Sequence, residues 1–231
     1  EGFDKTIAWY LDNEWWWRPL VRNKVFGDRL GLKRYSDMHG LVIGQTGQLA
    51  RALQATAQTT DLTLTCLDRK ACDLSAGPSH IRQAIAPHLQ TADVIIIAAA
   101  YTAVDTAENE RGTAHRVNAV APEVIATTAR EADIPVVHLS TDYVFNGQGV
   151  SPYMPDDPVN PVNIYGQTKH AGEQAVRHEQ ARSAILRTSW VYDMTGRNFV
   201  TTMLRLAETQ TLVRVVADQI GRPTHASDLA R

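Results

Sequence analysis

A tyrosine and a lysine four residues apart are the side chains of this sequence best placed for acid–base chemistry. They are Tyr165 and Lys169, in the segment YGQTK at the start of a helical pattern. On a helix, this spacing puts both side chains on one face. A free phenol has a pKa of about 10, and a neighbouring ammonium lowers it by favouring the phenolate. The pair predicts a tyrosine that gives a proton to a carbonyl oxygen, with an ordinary surface pair as the alternative.

A hydroxyl side chain lies 24 residues before Tyr165, at the end of a predicted buried strand. That strand, 136–139, runs into STDYVF at 140–145, which contains Thr141. Ligands of parallel α/β sheets bind beyond the carboxyl ends of the strands. We therefore expect Thr141 in the same crevice as Tyr165, although a plain strand cap or turn is the alternative interpretation.

A glycine-rich turn is a candidate phosphate-binding loop. The segment GQTGQLA, 44–50, follows the apolar stretch Leu41–Ile43 and precedes a helical pattern. Gly44 and Gly47 permit a tight turn and a close approach of the backbone to a pyrophosphate, which the N–H groups of the helix would bind. Asp68 closes the next strand 24 residues after Gly44, where a carboxylate can bind ribose hydroxyls. The pattern predicts a dinucleotide site.

The two residues after Asp68 leave the choice of cofactor open. Arg69 and Lys70 could bind the 2′-phosphate of NADPH, whereas Asp68 favours the free 2′-hydroxyl of NADH. A solvated loop is the alternative interpretation of the two basic residues. The sequence predicts NADPH or NADH without deciding between them.

Short apolar segments alternate with helix-length amphipathic ones from residue 41 onward. The predicted strands are Leu41–Ile43, Leu62–Leu67, Val94–Ala100, Pro135–Ser140, Ala184–Thr188 and Leu212–Val216. The predicted helices are Gln48–Gln58, Ile81–Leu89, Ala114–Ala132, Tyr165–Gln180 and Phe199–Thr209. Continuously apolar strands are typical of strands buried on both faces. The pattern predicts an α/β fold with a doubly wound parallel sheet.

The composition argues against several classes of partner. With 44% hydrophobic residues, 21% charged residues and a net charge of −2, the chain has no electrostatic footprint for nucleic acid. The longest apolar run, Val94–Ala100, is too short to span a membrane, and no secretory signal is expected. Cys66 and Cys72, the only cysteines, suit a reducing cytoplasm. No spacing of Cys or His predicts a metal site.

From about Met38 onward, the sequence resembles the dTDP-4-dehydrorhamnose reductases, a family of extended short-chain dehydrogenases. The matching segments are GQTGQL (44–49), AAAYTAVDTAE (98–108), STDYVF (140–145), YGQTKHAGE (165–173), RTSWVY (187–192), NFVTTMLRLA (198–207) and ADQIGRPT (217–224). The resemblance implies that NADPH or NADH reduces dTDP-4-dehydro-L-rhamnose to dTDP-L-rhamnose, the last step of dTDP-rhamnose biosynthesis. It leaves a homodimer open as the assembly.

The resemblance also implies roles for individual residues. Tyr165 would be the proton donor, and Thr141 and Lys169 would complete the catalytic triad. The sugar would contact Thr141, Asp142, Tyr143 and Trp190. Gly44 of the glycine-rich turn and Arg69 after Asp68 join the residues that the resemblance implies for the cofactor. The predicted cofactor residues are therefore Gly44, Gly47, Gln48, Leu49, Asp68, Arg69, Asp73, Leu74, Ala99, Ala100, Thr102 and Lys169. For Trp190, core packing is the alternative.

Two other functions stay open. Some relatives of the family are non-catalytic nucleotide-binding subunits, but these often lose the Tyr or Lys of the triad, and both are present here. Another nucleotide-sugar enzyme of the same superfamily is the second alternative. The related 4,6-dehydratases have a glutamate where this chain has Tyr143, and elimination of water needs such a base. Reduction is therefore favoured.

We expect the chain to consist of two parts. Residues 1–37 are interpreted as a helical appendage and linker, because GFDKTIAWYLDNEWWWRPL, within residues 1–34, resembles the C-terminal tail of dTDP-glucose 4,6-dehydratase. Residues 38–231 are the predicted NAD(P)-binding reductase domain. The family continues beyond the position of Arg231, so the substrate-binding region at this end is expected to be small and incomplete.

Overall fold

Five parallel strands form the central sheet of the computed structural model, which describes residues 38–231. The strands are β1 (His39–Ile43), β2 (Thr63–Leu67), β3 (Val94–Ile97), β4 (Val136–Thr141) and β5 (Ser183–Thr188). They lie in the order β2-β1-β3-β4-β5, and every neighbouring pair is parallel. The predictions for residues 1–37 lie outside the described residues.

Helices cover both faces of this sheet. They are α1 (Gln48–Ala57), α2 (Pro78–Ile85), α3 (Val104–Ala107), α4 (Arg111–His115), α5 (Ala121–Glu131), α6 (Ile164–Glu179), α7 (Phe199–Ala207) and α8 (Ala226–Leu229). Successive residues of a strand point to opposite faces. Val42 of β1 shares a buried cluster with Leu53 of α1, whereas Leu41 shares another with Ile81 of α2 and Ile125 of α5. The predicted doubly wound α/β fold is confirmed.

The strand predicted at Leu212–Val216 is wrong. These residues form no strand, and no strand among residues 38–231 pairs with them. Val216 is 66% exposed. β-branched residues favour a strand only where neighbouring strands or helices cover their side chains. The described part of the chain gives this segment no such partner, so its local pattern is misleading.

The long helix predicted at Ala114–Ala132 contains a π-helical turn. The turn, Arg116–Val120, lies between α4 and α5. Turns of this kind within α-helices are frequent at functional sites. Here the turn carries Asn118, which is only 1% exposed.

After β5, the chain forms a small region beside the main sheet. Strand β6 (Val191–Tyr192) pairs in parallel with β7 (Thr224–His225). Helix α7 begins with a capping box, in which Asn198 and Thr201 each accept the other's backbone N–H through a side-chain oxygen. Helix α8 packs against α1. Among the helices of residues 38–231, none has the length and apolarity needed to cross a membrane.

Candidate active site

The turn after β1 brings the backbone close to the end of β3. Gly44 has a φ of +124°, and a Cβ at this position would lie 3.3 Å from the backbone nitrogen of Ala99. A side chain here would be both strained and crowded, because L-residues rarely adopt such a φ. The Gly44 N–H donates to the carbonyl oxygen of Leu67 at 2.9 Å, which ties the turn to β2.

The first turn of α1 offers backbone donors to an anion. Gly47 caps the helix without a side-chain hydrogen bond, and a Cβ at this position would meet nothing within 4 Å. The first N–H groups of a helix have no partner within the helix and attract phosphate groups. With open space in front of it, the loop fits the pyrophosphate of a dinucleotide.

A cleft of about 710 Å³ lies at the carboxyl ends of the strands. Its lining includes every predicted cofactor residue, namely Gly44, Gly47, Gln48, Leu49, Asp68, Arg69, Asp73, Leu74, Ala99, Ala100, Thr102 and Lys169. Tyr165 lines the same cleft. The structure therefore brings the phosphate loop and the YxxxK pair together around one space of the size that binds small molecules.

One rim of the cleft carries the residues that bear on the choice of cofactor. Asp68 accepts the N–H of Ala71 through Oδ1 at 2.8 Å. Asp73 accepts the hydroxyl of Ser75 at 2.7 Å, and this bond is the main cause that lowers the pKa of Asp73. The Arg69 Nε lies 3.5 Å from Oδ2 of Asp73, and the Arg69 side chain is 81% exposed. The exposed guanidinium can therefore reach an anion at this rim, beside its ion pair with Asp73.

Lys169 is buried at the inner wall of the cleft, with 2% exposure. Its Nζ donates to the carbonyl oxygen of Leu139 at 2.5 Å and lies 3.4 Å from Nε2 of His138. Burial lowers the pKa of Lys169 to about 8, while the nearby Glu173 carboxylate acts in the opposite direction. The ammonium therefore persists at neutral pH and is lost as the pH rises through about 8.

The pKa of Tyr165 is shifted in the direction opposite to the predicted one. Burial raises its pKa above the usual value, and the charges of Asp142 and Tyr143 act in the same direction, against a hydrogen bond with Thr141. The sequence predicts a pKa lowered by Lys169, but desolvation of the phenolate dominates. A raised pKa keeps Tyr165 protonated at neutral pH, which is the state that a proton donor needs.

The segment after β4 places three predicted substrate residues beside Tyr165. Thr141 is 4% exposed and accepts the N–H of Tyr143 through Oγ1 at 3.2 Å. The ring of Tyr143 meets that of Tyr165 edge to face, with centroids 5.7 Å apart. Burial raises the pKa of the Asp142 carboxyl. These three residues flank Tyr165, although none is among the described residues that line the cleft.

Comparison with known proteins decides the family. Residues 38–231 match the family described as RmlD substrate binding domain. The chain belongs to this family.

Several known proteins are similar to this RmlD-family chain in sequence or in structure. The dTDP-4-dehydrorhamnose reductase of Sinorhizobium fredii is 44% identical over 191 residues, which cover 82% of this chain and 62% of that protein. The spore coat polysaccharide biosynthesis protein SpsK of Bacillus subtilis is 42% identical over 190 residues, covering 82% and 66%. A dTDP-4-dehydrorhamnose reductase from Bacillus anthracis in complex with NADP has a TM-score of 0.79 at 37% identity, covering 84% and 68%. The chain spans slightly less than two thirds of the length of each of the two curated relatives.

Trp190 of this RmlD-family chain lies two residues after Thr188, the last residue of β5. Its indole packs on Gly221, where a Cβ would come within 2.7 Å of the ring. It is not among the described residues that line the cleft. Its φ of +47° is left-handed, which costs a non-glycine residue on the order of 1–3 kcal/mol and is often found at ligand sites. Its contact with the sugar stays a prediction.

Asn118, which was not among the predicted site residues, links the segment after β3 to helix α6, which carries Tyr165 and Lys169. Its Oδ1 accepts the N–H of Tyr101 at 2.9 Å, and its Nδ2 donates to the carbonyl oxygen of Tyr101 at 3.1 Å. The same Nδ2 donates to Oγ1 of Thr168 at 3.1 Å. A signal was present, because a polar residue within the apolar run VNAVA is unusual on the buried face of a helix.

A buried ion pair, also missed, lies one turn after Lys169. Glu173 is 0% exposed and accepts Arg187 Nε at 2.9 Å and Nη2 at 2.7 Å. Burial opposes ionisation of Glu173, but the bonds from Arg187, together with the charges of Arg187 and Arg177, hold the pKa of this carboxyl below its usual value. The Arg187 guanidinium also lies 5.0 Å from the ring centroid of Phe145, which connects the pair to the segment after β4.

No group of three His, Cys, Asp or Glu within residues 38–231 is arranged to hold a metal ion.

Proposed function

We propose that this protein reduces the 4-keto group of dTDP-4-dehydro-L-rhamnose with NADPH or NADH. The observation that carries the proposal is the shared cleft, in which Tyr165 and Lys169 face the phosphate loop of Gly44 and Gly47. Relatives named dTDP-4-dehydrorhamnose reductase support it, as does a solved relative in complex with NADP. Since the chain spans less than two thirds of those curated relatives, the substrate is a proposal for the whole protein.

The residues of the chain supply the proton and orient the carbonyl group. Tyr165 keeps its proton at neutral pH and gives it to the C4 oxygen as the alcohol forms. The Thr141 hydroxyl, which donates to Asp142 Oδ1 at 3.2 Å, turns to that oxygen once the sugar binds and holds it next to the phenol. Lys169 donates from its ammonium to the hydroxyls of the cofactor ribose. A bound reduced nicotinamide would supply the hydride to the carbonyl carbon.

Tyr143 supports reduction rather than elimination of water. Elimination needs a general base beside the sugar in addition to the proton donor. Burial raises the pKa of the Tyr143 phenol above its usual value, so this side chain stays protonated and cannot serve as that base near neutrality. We infer that the sugar contacts Thr141, Asp142, Tyr143 and Trp190, as the family resemblance implies.

The test is the loss of reduced-nicotinamide absorbance with dTDP-4-dehydro-L-rhamnose, measured separately with NADPH and NADH. Oxidation that requires the sugar would support the reductase and identify the preferred cofactor. If the cofactor binds but no sugar is reduced, by this chain or by a version extended beyond Arg231 to the length of its relatives, the reductase proposal is wrong. The chain would then be a nucleotide-binding subunit. A cytoplasmic location and a homodimer stay predictions, which fractionation and the solution mass would check.

A further inference from the structure

We propose that His138 is a positioning residue that holds the Lys169 ammonium in place by accepting its hydrogen bond through Nε2. The inference rests on the proposed function, in which Lys169 binds the cofactor ribose, and it adds a partner for that lysine from the strand beneath it. His138 is not among the described residues that line the cleft. It would act through Lys169 alone.

The position of His138 suits this role. It is the third residue of β4 and is 0% exposed. Helix α6 packs against β4, and Nε2 of His138 lies 3.4 Å from Nζ of Lys169. The imidazole reaches this place beside Gly172, where a Cβ would lie 3.5 Å from Nε2. The carbonyl oxygen of Leu139 accepts a second hydrogen bond from the same ammonium.

The other ring nitrogen of His138 indicates which tautomer is present. Nδ1 is buried and has no hydrogen-bond partner. A proton on Nε2 would point at the ammonium, which donates only, and would leave Nδ1 as an unpaired acceptor. A proton on Nδ1 instead directs the Nε2 lone pair at Lys169. An apolar residue would avoid the unpaired Nδ1, so the imidazole is better explained by its bond to Lys169.

The charges around the pair keep His138 neutral while Lys169 is charged. Burial, and then the Lys169 ammonium, lower the pKa of His138 well below 6.5. On α6, Tyr165 lies one turn before Lys169, and Glu173 one turn after it acts to raise the pKa of Lys169. Arg187 from β5 pairs with Glu173 and weakens its pull on the ammonium. Near pH 7 the imidazole is therefore a neutral acceptor and the lysine a charged donor.

The first experiment measures the tautomer in the unmodified 231-residue chain. Long-range ¹H–¹⁵N correlation spectra distinguish protonated from unprotonated ring nitrogens, and the His138→Gln variant identifies the His138 signals by their loss. We expect an unprotonated Nε2 and a protonated Nδ1 from pH 6 to pH 8. A proton on Nε2, or an imidazolium, would overturn the proposal, because Nε2 could not then accept.

The second experiment compares NADPH affinity in two variants across pH, by fluorescence titration without sugar. His138→Leu removes the acceptor, so we expect a roughly 10-fold weaker affinity at pH 7, from the typical strength of a hydrogen bond to a charged group. The alkaline loss of binding should also move to lower pH. His138→Gln places an amide oxygen near the Nε2 position, so both values should stay close to those of the unmodified chain. If both variants weaken NADPH affinity equally, and the pH at which binding is lost does not change, His138 has a packing role only.

These outcomes are separable from failure of the proposed function. Neither the tautomer nor the NADPH titration needs the sugar, so a chain that reduces no sugar still decides the role of His138. Conversely, sugar-dependent oxidation with a protonated Nε2 would leave the reductase in place and remove His138 from its machinery. If His138→Leu does not fold, the tautomer of the unmodified chain is sufficient to support or overturn the role of His138.

Discussion

The carbonyl oxygen of Tyr143 occupies the space in which a residue other than glycine would carry its Cβ at position 166. Gly166 therefore lets the segment after β4 touch the first turn of α6, next to Tyr165. Direct backbone contact therefore fixes the position of the two segments relative to each other. The rings of Tyr143 and Tyr165 add an edge-to-face contact, with centroids 5.7 Å apart.

Gly166→Ala is expected to separate these two segments. The added methyl group cannot be accommodated by a side-chain rotation, because its neighbour is backbone, so the turn or the helix must shift. We expect a destabilisation of about 1–3 kcal/mol, as for other insertions into packed regions. Because Tyr165 moves with the helix, turnover should fall at least about 10-fold. Urea unfolding and the NADPH oxidation assay measure the two effects.

Gly112→Ala is the matched control for this substitution. A Cβ at position 112 would meet only the Nη1 of Arg116, at an ordinary 3.6 Å, and alanine favours a helix over glycine. Stability and turnover should stay the same or rise slightly. Unchanged turnover in Gly166→Ala would show that the contact with Tyr143 does not position Tyr165.

Short-range patterns were sufficient to predict the glycine turn between β1 and α1. The positive φ of Gly44 and the uncapped start of α1 at Gly47 depend on residues next to each other in the chain. The parallel direction of the strands also follows from the alternation of elements, because parallel strands need helical crossovers. For the same reason, the predicted cofactor residues lie around one cleft.

Long-range packing explains what the sequence could not predict. Asn118 binds both Tyr101 and Thr168. Thr168 lies 50 residues after Asn118 in the chain, and no local pattern indicates that the two side chains meet. The raised pKa of Tyr165 comes first from burial, which depends on the assembled sheet and helices. The wrong strand at Leu212–Val216 has the same origin, since a strand requires a partner that its own residues do not specify.

Tyr165→Phe should abolish turnover and leave NADPH affinity nearly unchanged. The substitution removes the proton donor but retains the ring that packs on Tyr143. Loss of a positioned acid lowers the rate by about 100-fold or more. The control is Tyr192→Phe, whose ring packs on His225 and is not among the described residues lining the cleft. Turnover by Tyr165→Phe at the parent rate would show that another group donates the proton.

Lys169→Met should weaken NADPH binding and stabilise the fold. The ammonium is charged in a buried site, and lowering its pKa from 10.5 to about 8 corresponds to about 3 kcal/mol. Methionine removes this cost but also the hydrogen bonds to Leu139 and His138, so a net gain of roughly 1–3 kcal/mol is expected. Denaturant unfolding and NADPH titration measure the two changes.

The pH dependence of that gain checks its origin. The folded pKa of Lys169 is lowered, so the penalty on the unmodified chain is complete below about pH 8. It shrinks between pH 8 and 10.5, because the folded protein releases the proton before the unfolded one does. The advantage of Lys169→Met should therefore be largest near pH 7 and smaller at pH 10. A constant difference would point to packing rather than to charge.

Arg69→Ala should discriminate between the two cofactors. Arg69 lines the cleft beside Asp68 and Asp73, and its exposed guanidinium can pair with a 2′-phosphate. We expect roughly 10-fold weaker binding of NADPH, with NADH little affected. Lys70→Ala is the control, because Lys70 is not among the described residues that line the cleft. Equal loss of NADPH and NADH affinity in Arg69→Ala would exclude a specific role at the 2′-phosphate.

Arg187→Met should destabilise the fold strongly, because it leaves the Glu173 carboxylate buried without its partner. Breaking a buried ion pair from one side costs roughly 3–5 kcal/mol, whereas replacing both members by apolar residues is often nearly neutral. The double variant Glu173→Met/Arg187→Met should therefore recover most of the loss in urea unfolding at pH 7.

Acid should also relieve the single variant. In the unmodified chain the pKa of Glu173 is lowered, so the stabilisation by the pair is lost only as the pH falls through that low value. Without Arg187, burial raises the pKa of Glu173, and the carboxyl takes up a proton in mildly acidic solution. The deficit of Arg187→Met should consequently shrink between pH 7 and pH 5. The loss of stability could instead be the same at pH 7 and pH 5, and the same in the double variant. In that case the charge of Glu173 is not its cause. The contacts of Arg187 with Phe145 and with the carbonyl oxygen of Pro155 would then stabilise this part of the site.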